Sequence, residues 1–298
     1  MSGNQYFIDL LASQKLDETS NEWKDLDDEA DAIEDIVRAA YPDSIIMFTH
    51  GGSRAKRTMI REDYDLDEVL YFQNGDTAAG ETLEEIYEAI AKLLAKHYIV
   101  RRKRSALRLS MKDGRDLKVD VVPGRYVDQT QTDVFIHQNE GEKRWLKTNI
   151  IEHVTHVRDS GCTDVIMLAK LWRTRDDIPI KTFPLELLVI AALSADNSGT
   201  LEDRFCRVLT AFRDDIDNFS IVDPANPTGN DLSHALTEKI RNTLSKVAGD
   251  TLAAADEHGW EHVFGKIETR QACVPRVQIV RAAAASIAVP TRPWGPKQ

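Results

Sequence analysis

The sequence predicts an α+β protein in which a sheet domain precedes a mostly helical half. Two short apolar segments, 44–50 (SIIMFTH) and 65–72 (DLDEVLYF), have the length of buried strands. The segment 81–98 carries leucine and isoleucine on one side, which predicts an amphipathic helix. From about Asn149 onward, helix-type patterns replace strand-type ones. The order of these patterns indicates a sheet domain followed by a helical one.

The elements of the sheet domain follow from local signals. The first forty residues have the period of a helix, which Tyr41-Pro42 ends. Gly51-Gly52 ends the first strand, and Ser53 is placed to cap a short helix that reaches Ile60. Three further strand-like segments follow the amphipathic helix, at 98–102, 106–111 and 116–123.

We expect the domain boundary after residue 148. Residues 1–148 would form the sheet core with its N-terminal helices, and residues 149–298 would form a helical lobe that closes a cleft. No internal repeat or low-complexity tract interrupts either part. The last residues, 290–298, are predicted to be a mobile tail.

Composition limits the partners and the location of the protein. No apolar stretch is long enough to span a membrane, and no secretory signal pattern is present at the N-terminus, so we expect a cytoplasmic protein. Three dispersed cysteines argue against disulfides and against a cysteine zinc site. A net charge of -11 disfavours a long nucleic-acid partner. The basic run at 101–104 is either a solvated strand end or part of a groove for nucleotide phosphates.

Aspartates at the start of the second strand predict a metal site. Asp65 and Asp67 point to the same face of a strand, about 6 to 7 Å apart, where they would repel each other without a cation. Asp120 interrupts a later apolar strand and can supply a third carboxylate. Oxygen ligands of this kind are those that Mg²⁺ binds. Asp63 would lie on the same face of the strand, so the pair of acids could also be Asp63 and Asp65. The apolar run that begins after Glu68 favours Asp65 and Asp67.

The glycine turn predicts a phosphate site beside these acids. Gly51 and Gly52 allow the backbone to approach a phosphate closely. Ser53 adds a hydroxyl next to backbone amides at the start of a helix. The turn and the carboxylates together would form a phosphate site that faces a metal site.

The sequence resembles the DNA polymerase β-like nucleotidyltransferases. Gly52-Ser53, Asp65-Leu66-Asp67 and Asp120 match the pattern GS, DxD and D of that superfamily, and this match selects Asp65 and Asp67 as the strand pair. Other segments are similar to the bacterial CD-NTases, the cGAS/DncV-like members of the oligoadenylate synthetase-like branch. They are KVDVVPGR (118–125), RWLKTN (144–149), LAKLWR (168–173), PLELLVI (184–190) and IVDPANPTGND (221–231). The resemblance covers about residues 25 to 265.

This resemblance implies a fold and a set of site residues. The fold would be a polymerase β-like mixed sheet with flanking helices and a C-terminal helical lobe. Asp65, Asp67 and Asp120 would hold two Mg²⁺ ions, for which Mn²⁺ can substitute. Asp120 would act as general base unless the metal alone acidifies the attacking hydroxyl. Gly52, Ser53 and Lys170 would bind the triphosphate of the nucleotide.

The resemblance also implies the reaction. The chain would join nucleoside triphosphates into a cyclic di- or trinucleotide for anti-phage (CBASS) signalling. Regulatory or effector proteins of a defence operon would be its partners, and it would act as a monomer that requires neither a membrane nor a long nucleic acid. One alternative is a nucleotidyltransferase that modifies tRNA or a protein hydroxyl. Another is a non-catalytic nucleotide sensor, which the presence of all three acids disfavours.

Overall fold

Seven strands and ten α-helices make up the described part of the chain. The computed structural model describes residues 2–230 and 232–267, so Cys273 and the predicted tail lie outside it. The strands are β1 (Ile46–His50), β2 (Leu66–Phe72), β3 (Ile99–Arg102), β4 (Leu107–Ser110), β5 (Lys118–Tyr126), β6 (Val134–His137) and β7 (Trp145–Thr148). The helices are α1 (Gly3–Gln14), α2 (Asn21–Ala40), α3 (Gly52–Ala55), α4 (Leu83–Leu94), α5 (Ile150–Arg158), α6 (Thr163–Arg175), α7 (Thr182–Ala192), α8 (Leu201–Asp214), α9 (Glu238–His258) and α10 (Trp260–Phe264). None of these helices has both the length and the apolar character needed to cross a membrane.

The strands form one mixed sheet. The main order is β1-β2-β5-β4-β3, and β6 joins β5 to β7. Strands β2 and β5 are parallel, while the other neighbouring pairs are antiparallel. The parallel pairing sets Asp67 beside Asp120. The predicted α+β fold with a mixed sheet is confirmed.

Alternation along β2 divides its side chains between two faces of the sheet. Leu66 and Leu70 are fully buried in the core that α2 and α4 cover. Val69 and Tyr71 point to the opposite face, into a smaller apolar cluster. By the same alternation, Asp67 shares the face of Val69, away from the main core. The strand can therefore bury its apolar residues and still present an acid to a cleft.

The N-terminal helical region differs from its prediction. It consists of two helices, because Ser20 caps α2 by accepting a hydrogen bond from the amide of Trp23 at 3.1 Å. The short helix after β1 is also different. It ends at Ala55, and its N-cap residue is Gly51 rather than Ser53. Strands β6 and β7 were not predicted from the sequence, because each is four residues long and so short a run carries little periodicity.

Helix α1 packs against helices of the second half of the chain. The ring of Phe7 is fully buried, and its centroid lies 5.4 Å from that of Phe205 and 4.8 Å from that of Trp260. Phe212 and Trp172 belong to the same core. The division of the chain at residue 148 stays a prediction, and α1 contributes to the helical core although it precedes the sheet in sequence.

Truncation of Phe7 tests this contribution of α1. We expect Phe7→Ala to lower the free energy of unfolding by about 3–5 kcal/mol, because a buried aromatic ring is lost and a cavity remains. The neighbouring Ile8 is 46% exposed, and Ile8→Ala should change the same quantity by less than about 1 kcal/mol. Urea unfolding of both variants measures the difference. Equal effects of the two substitutions would contradict the packing of α1 described above.

Candidate active site

The turn after β1 lies directly against Asp67. The amide of Gly51 donates a hydrogen bond to the carbonyl oxygen of Asp67 at 2.8 Å. Gly52 has a φ of +53°, and a Cβ atom at this position would lie 1.6 Å from Oδ2 of Asp67. Ser53 follows and is 8% exposed. Only glycine fits between this turn and the carboxylate.

Three carboxylates come together beside this turn. Asp67 and Asp120 are partners in the parallel pairing of β2 with β5, and Asp65 immediately precedes β2. One carboxylate oxygen from each of the three lies within 4.8 Å of the others. Asp63, the alternative member of the strand pair, forms an ion pair with Arg173 and is not part of this cluster.

The crowding of these acids changes their protonation. Burial, followed by the negative charges of Asp65 and Asp120, raises the pKa of Asp67 to about 7. Burial also raises the pKa of Asp65. Clustered hard oxygen atoms with excess negative charge are a donor set that suits a divalent cation such as Mg²⁺. The residues therefore fit the metal that the sequence predicted.

Two cations of the chain engage Asp120. Arg108 donates to both of its carboxylate oxygens, at 2.5 and 2.6 Å, and Lys103 donates to one of them at 2.7 Å. Burial alone would raise the pKa of Asp120, but these hydrogen bonds outweigh burial and the pKa is lowered. Neither cation was predicted to contact an acid. For Lys103 the signal was the basic run at 101–104, which does not show which strand it faces, and Arg108 lies outside that run.

Lys170 lies in the wall of the cleft. It is 2% exposed, and its ammonium donates to the backbone carbonyl of Thr58 at 2.8 Å. Burial lowers its pKa, against the opposing effect of nearby Glu186. Glu186 itself accepts hydrogen bonds from Lys56 at 2.8 Å and from the Thr58 hydroxyl at 3.0 Å. The predicted contact of Lys170 with a triphosphate stays a prediction.

The predicted site residues line one cavity of about 920 Å³. They are Gly52, Ser53, Asp65, Asp67, Asp120 and Lys170. Helices α6 and α7 and the segment before α7 form part of its wall through Arg173, Phe183 and Lys181. This volume is at the upper end of the range of about 300–1,000 Å³ for small-molecule sites. The cavity is therefore lined both by the acids of the sheet and by residues of the helical half.

The segment IVDPANPTGND contributes a buried polar network near the cleft. Asp223 is fully buried and accepts hydrogen bonds from the His153 ring at 2.6 Å and from the amide of Ala225 at 2.9 Å. The ring centroid of His153 lies 4.6 Å from that of Phe183, which lines the cavity. This network connects α5 to the wall of the cleft.

Comparison with known proteins identifies relatives of the chain. No family model matches it. It is 26% identical over 259 residues to the CBASS oligonucleotide cyclase CdnC of Escherichia coli (strain KTE188), covering 72% of this chain and 80% of the relative.

Several solved structures have a similar fold. The CdnC:HORMA-deltaN complex of E. coli MS115-1 matches with a TM-score of 0.68 and 19% identity over 90% of this chain and 98% of that one. CdnG of Bradyrhizobium diazoefficiens, in complex with GTP, matches with a TM-score of 0.70 and 14% identity over 96% and 98%. DncV of Vibrio cholerae, in complex with the linear intermediate pppA(3',5')pG, matches with a TM-score of 0.62 and 16% identity over 78% and 72%.

The fold and the sequence relationship define the class of the protein. Its fold is that of the polymerase β-like nucleotidyltransferases. The chain is similar in sequence and fold to bacterial CD-NTases of the cGAS/DncV-like family, which confirms the resemblance found in the sequence.

Substitution of Gly52 tests the contact between the turn and Asp67. Gly52→Ala should lower the free energy of unfolding by about 3 kcal/mol, because a positive φ and a steric clash both disfavour alanine. Gly75 also has a positive φ, of +81°, but a Cβ atom there would meet nothing within 4 Å. Gly75→Ala should therefore cost only about 1 kcal/mol. Chemical unfolding of both variants measures the difference, and equal losses would show that no clash occurs at Gly52.

The raised pKa of Asp67 predicts a pH dependence of stability in metal-free protein. The folded state keeps the Asp67 proton up to a pKa of about 7, whereas the free aspartate side chain has a pKa of 3.8. The contribution of this group is thus fully present below about pH 4 and is lost as the pH rises through about 7. The free energy of unfolding of wild type and of Asp67→Asn is measured in EDTA at a series of pH values. The value for wild type minus the value for Asp67→Asn should fall as the pH rises through this interval. A difference that stays constant with pH would contradict the burial of Asp67 among like charges.

Proposed function

We propose that the chain is a Mg²⁺-dependent nucleotidyltransferase that joins nucleoside triphosphates into a cyclic di- or trinucleotide second messenger for anti-phage (CBASS) signalling. The observation that carries this proposal is the cluster of three carboxylates within 4.8 Å of one another, beside a glycine turn and inside the cleft of a CD-NTase fold. The relationship to an oligonucleotide cyclase supports the same reaction.

Each transfer step moves one nucleotidyl group. The oxygen of an acceptor 2′- or 3′-hydroxyl attacks the α-phosphorus of a bound triphosphate. The bond from that phosphorus to the bridging oxygen of the β-phosphate breaks, and pyrophosphate leaves. A second transfer, within the linear intermediate, closes the ring and releases a second pyrophosphate in the case of a dinucleotide.

Asp65, Asp67 and Asp120 would hold the two metal ions. Once bound, Mg²⁺ would stabilise the negative charge that develops on the entering and leaving oxygens. Asp67 and Asp120 lie on two adjacent strands and Asp65 immediately precedes one of them, so the sheet holds their spacing before any ligand enters. This rigidity favours a fixed geometry for the displacement.

The proton of the attacking hydroxyl needs an acceptor. The proposed general base is Asp120. Its ion pairs with Arg108 and Lys103 lower its pKa, which makes it a weaker base while those pairs persist. Release of the carboxylate from these cations would restore its basicity.

The triphosphate would be bound by the turn and by the facing wall of the cleft. Gly52 has no side chain to obstruct a phosphate, and Ser53 supplies a hydroxyl in the same cavity. Lys56, which directly follows α3, and Lys170 of α6 line the same cavity, and their ammonium groups suit the outer phosphates. Residues of both halves of the chain would therefore contribute to the phosphate site.

The proposed partners follow from the relatives. CdnC has been solved with ATP and CdnG with GTP, which supports nucleoside triphosphates as substrates here. CdnC has also been solved in complex with a HORMA protein, which supports a regulatory protein as partner. We further propose that the chain acts in the cytoplasm, where nucleoside triphosphates are made, and as a monomer.

Loss of two acids tests the proposed reaction. Asp65→Asn together with Asp67→Asn should reduce pyrophosphate release from a mixture of the four ribonucleoside triphosphates by at least about a thousandfold, because metal stabilisation of the transition state is worth several kcal/mol. Asp116 is an exposed acid four residues before Asp120, and Asp116→Asn is the matched control that should retain wild-type turnover. The far-ultraviolet circular dichroism of both variants checks that they fold.

The labelled product separates the proposed function from its rival. With wild-type protein and labelled nucleotides alone, we expect a small product that resists phosphatase. Label that appears only on added tRNA or protein would instead favour modification of a macromolecule. Wild-type turnover by the double variant would contradict both functions.

A further inference from the structure

One guanidinium bridges two of the three clustered carboxylates. Nε and Nη2 of Arg108 donate to the two oxygens of Asp120 at 2.5 and 2.6 Å. The same Nη2 donates to Oδ2 of Asp65 at 2.9 Å. Lys103 adds a third hydrogen bond to Asp120 at 2.7 Å. Both oxygens of Asp120 are therefore engaged by positive charges of the chain itself.

The position of Arg108 is built into the sheet. Strands β4 and β5 are antiparallel, and their register sets Arg108 directly beside Asp120. Residues paired in this way project from the same face of a sheet. The Arg108 side chain is only 17% exposed, whereas that of Lys103, in the turn before β4, is 32% exposed. Strand register thus holds Arg108 on the acids more firmly than a loop position would.

This arrangement competes with a metal ion for the same oxygen atoms. Mg²⁺ binds carboxylate oxygens at about 2.0–2.1 Å. A guanidinium that keeps both hydrogen bonds to Asp120 would lie within a few ångströms of an ion bound there, and like charges at that distance repel. In the described part of the chain, the Asp67 side chain forms no such ion pair. The contacts of Arg108 therefore disfavour the binding of an ion to Asp120.

We propose that Arg108 is an internal counter-ion that occupies the carboxylate cluster in the metal-free protein and competes with the divalent cation for Asp65 and Asp120. This inference rests on the proposed function in one respect, namely that the cluster binds a divalent ion. Because Arg108 also lines the cavity, a triphosphate in the cleft offers its guanidinium another anionic partner. Nucleotide binding would then free Asp120, so that metal and nucleotide each favour the binding of the other.

Removal of the guanidinium tests the competition directly. The probe is Mn²⁺ alone, without nucleotide, and its affinity is measured by the electron paramagnetic resonance of the free ion. We expect Arg108→Met to bind Mn²⁺ about tenfold more tightly than wild type, because the competing charge is gone. Arg104 lines the same cavity but donates to the side-chain amide of Gln138 rather than to an acid. Arg104→Met removes the same charge and should change the affinity by less than about twofold.

A conservative variant covers the case in which Arg108→Met does not fold without metal. Arg108→Lys keeps the charge but loses the bidentate contact, and its affinity for Mn²⁺ should lie between those of wild type and Arg108→Met. The proposal is overturned if folded Arg108→Met binds Mn²⁺ no more tightly than wild type. If only Arg108→Lys folds, the same result with that variant overturns it. A purely structural role of Arg108 would produce one of these outcomes.

The experiment also separates this inference from the proposed function. Wild-type protein is assayed in parallel for product from nucleoside triphosphates. If no product forms but the Mn²⁺ affinities rank as expected, the proposed function fails and the role of Arg108 stands. If product forms but removal of Arg108 does not tighten Mn²⁺ binding, the role of Arg108 fails and the function stands.

Discussion

The parallel pairing of β2 with β5 is the constraint on which the rest of the site depends. It sets Asp67 beside Asp120 and thereby gathers three carboxylates into one cluster. Such crowding is unfavourable unless positive charge or protons compensate it. Arg108 and Lys103 neutralise Asp120, while Asp67 keeps its proton up to a pKa of about 7. The fold therefore holds the three acids together at the expense of local stability, as functional sites often do.

The segment between α3 and β2 connects this cluster to the helical half. Asp63 pairs with Arg173, and Glu62 pairs with Arg175, both on α6. Lys56 pairs with Glu186, which is fully buried on α7. Loss of one partner from a buried pair is strongly destabilising, by about 3–5 kcal/mol, because it leaves a buried charge without a partner. These contacts fix the helical wall of the cleft relative to the acids that follow the segment.

The sequence was sufficient for features that depend on local chemistry. The glycine turn indicated Gly52 and Ser53 as candidates, and the interrupted apolar strand indicated Asp120. Strand parity indicated Asp65 and Asp67 but left Asp63 open, and the resemblance to a known superfamily selected the later pair. Features that depend on long-range packing were not accessible. The contact of Arg108 with Asp120 depends on the register of β4 against β5, and the burial of Phe7 depends on helices two hundred residues later. Neither leaves a periodic signal in the segment that carries it.

The proposed reaction requires that the three acids hold metal ions against a nucleoside triphosphate in the cleft. Anomalous diffraction from crystals grown with Mn²⁺ and a non-hydrolysable nucleoside triphosphate tests this claim most directly. We predict manganese peaks bound by Asp65, Asp67 and Asp120, with the triphosphate against Gly52 and Ser53 and with Arg108 moved off Asp120. Manganese bound elsewhere, or a nucleotide outside this cleft, would contradict it.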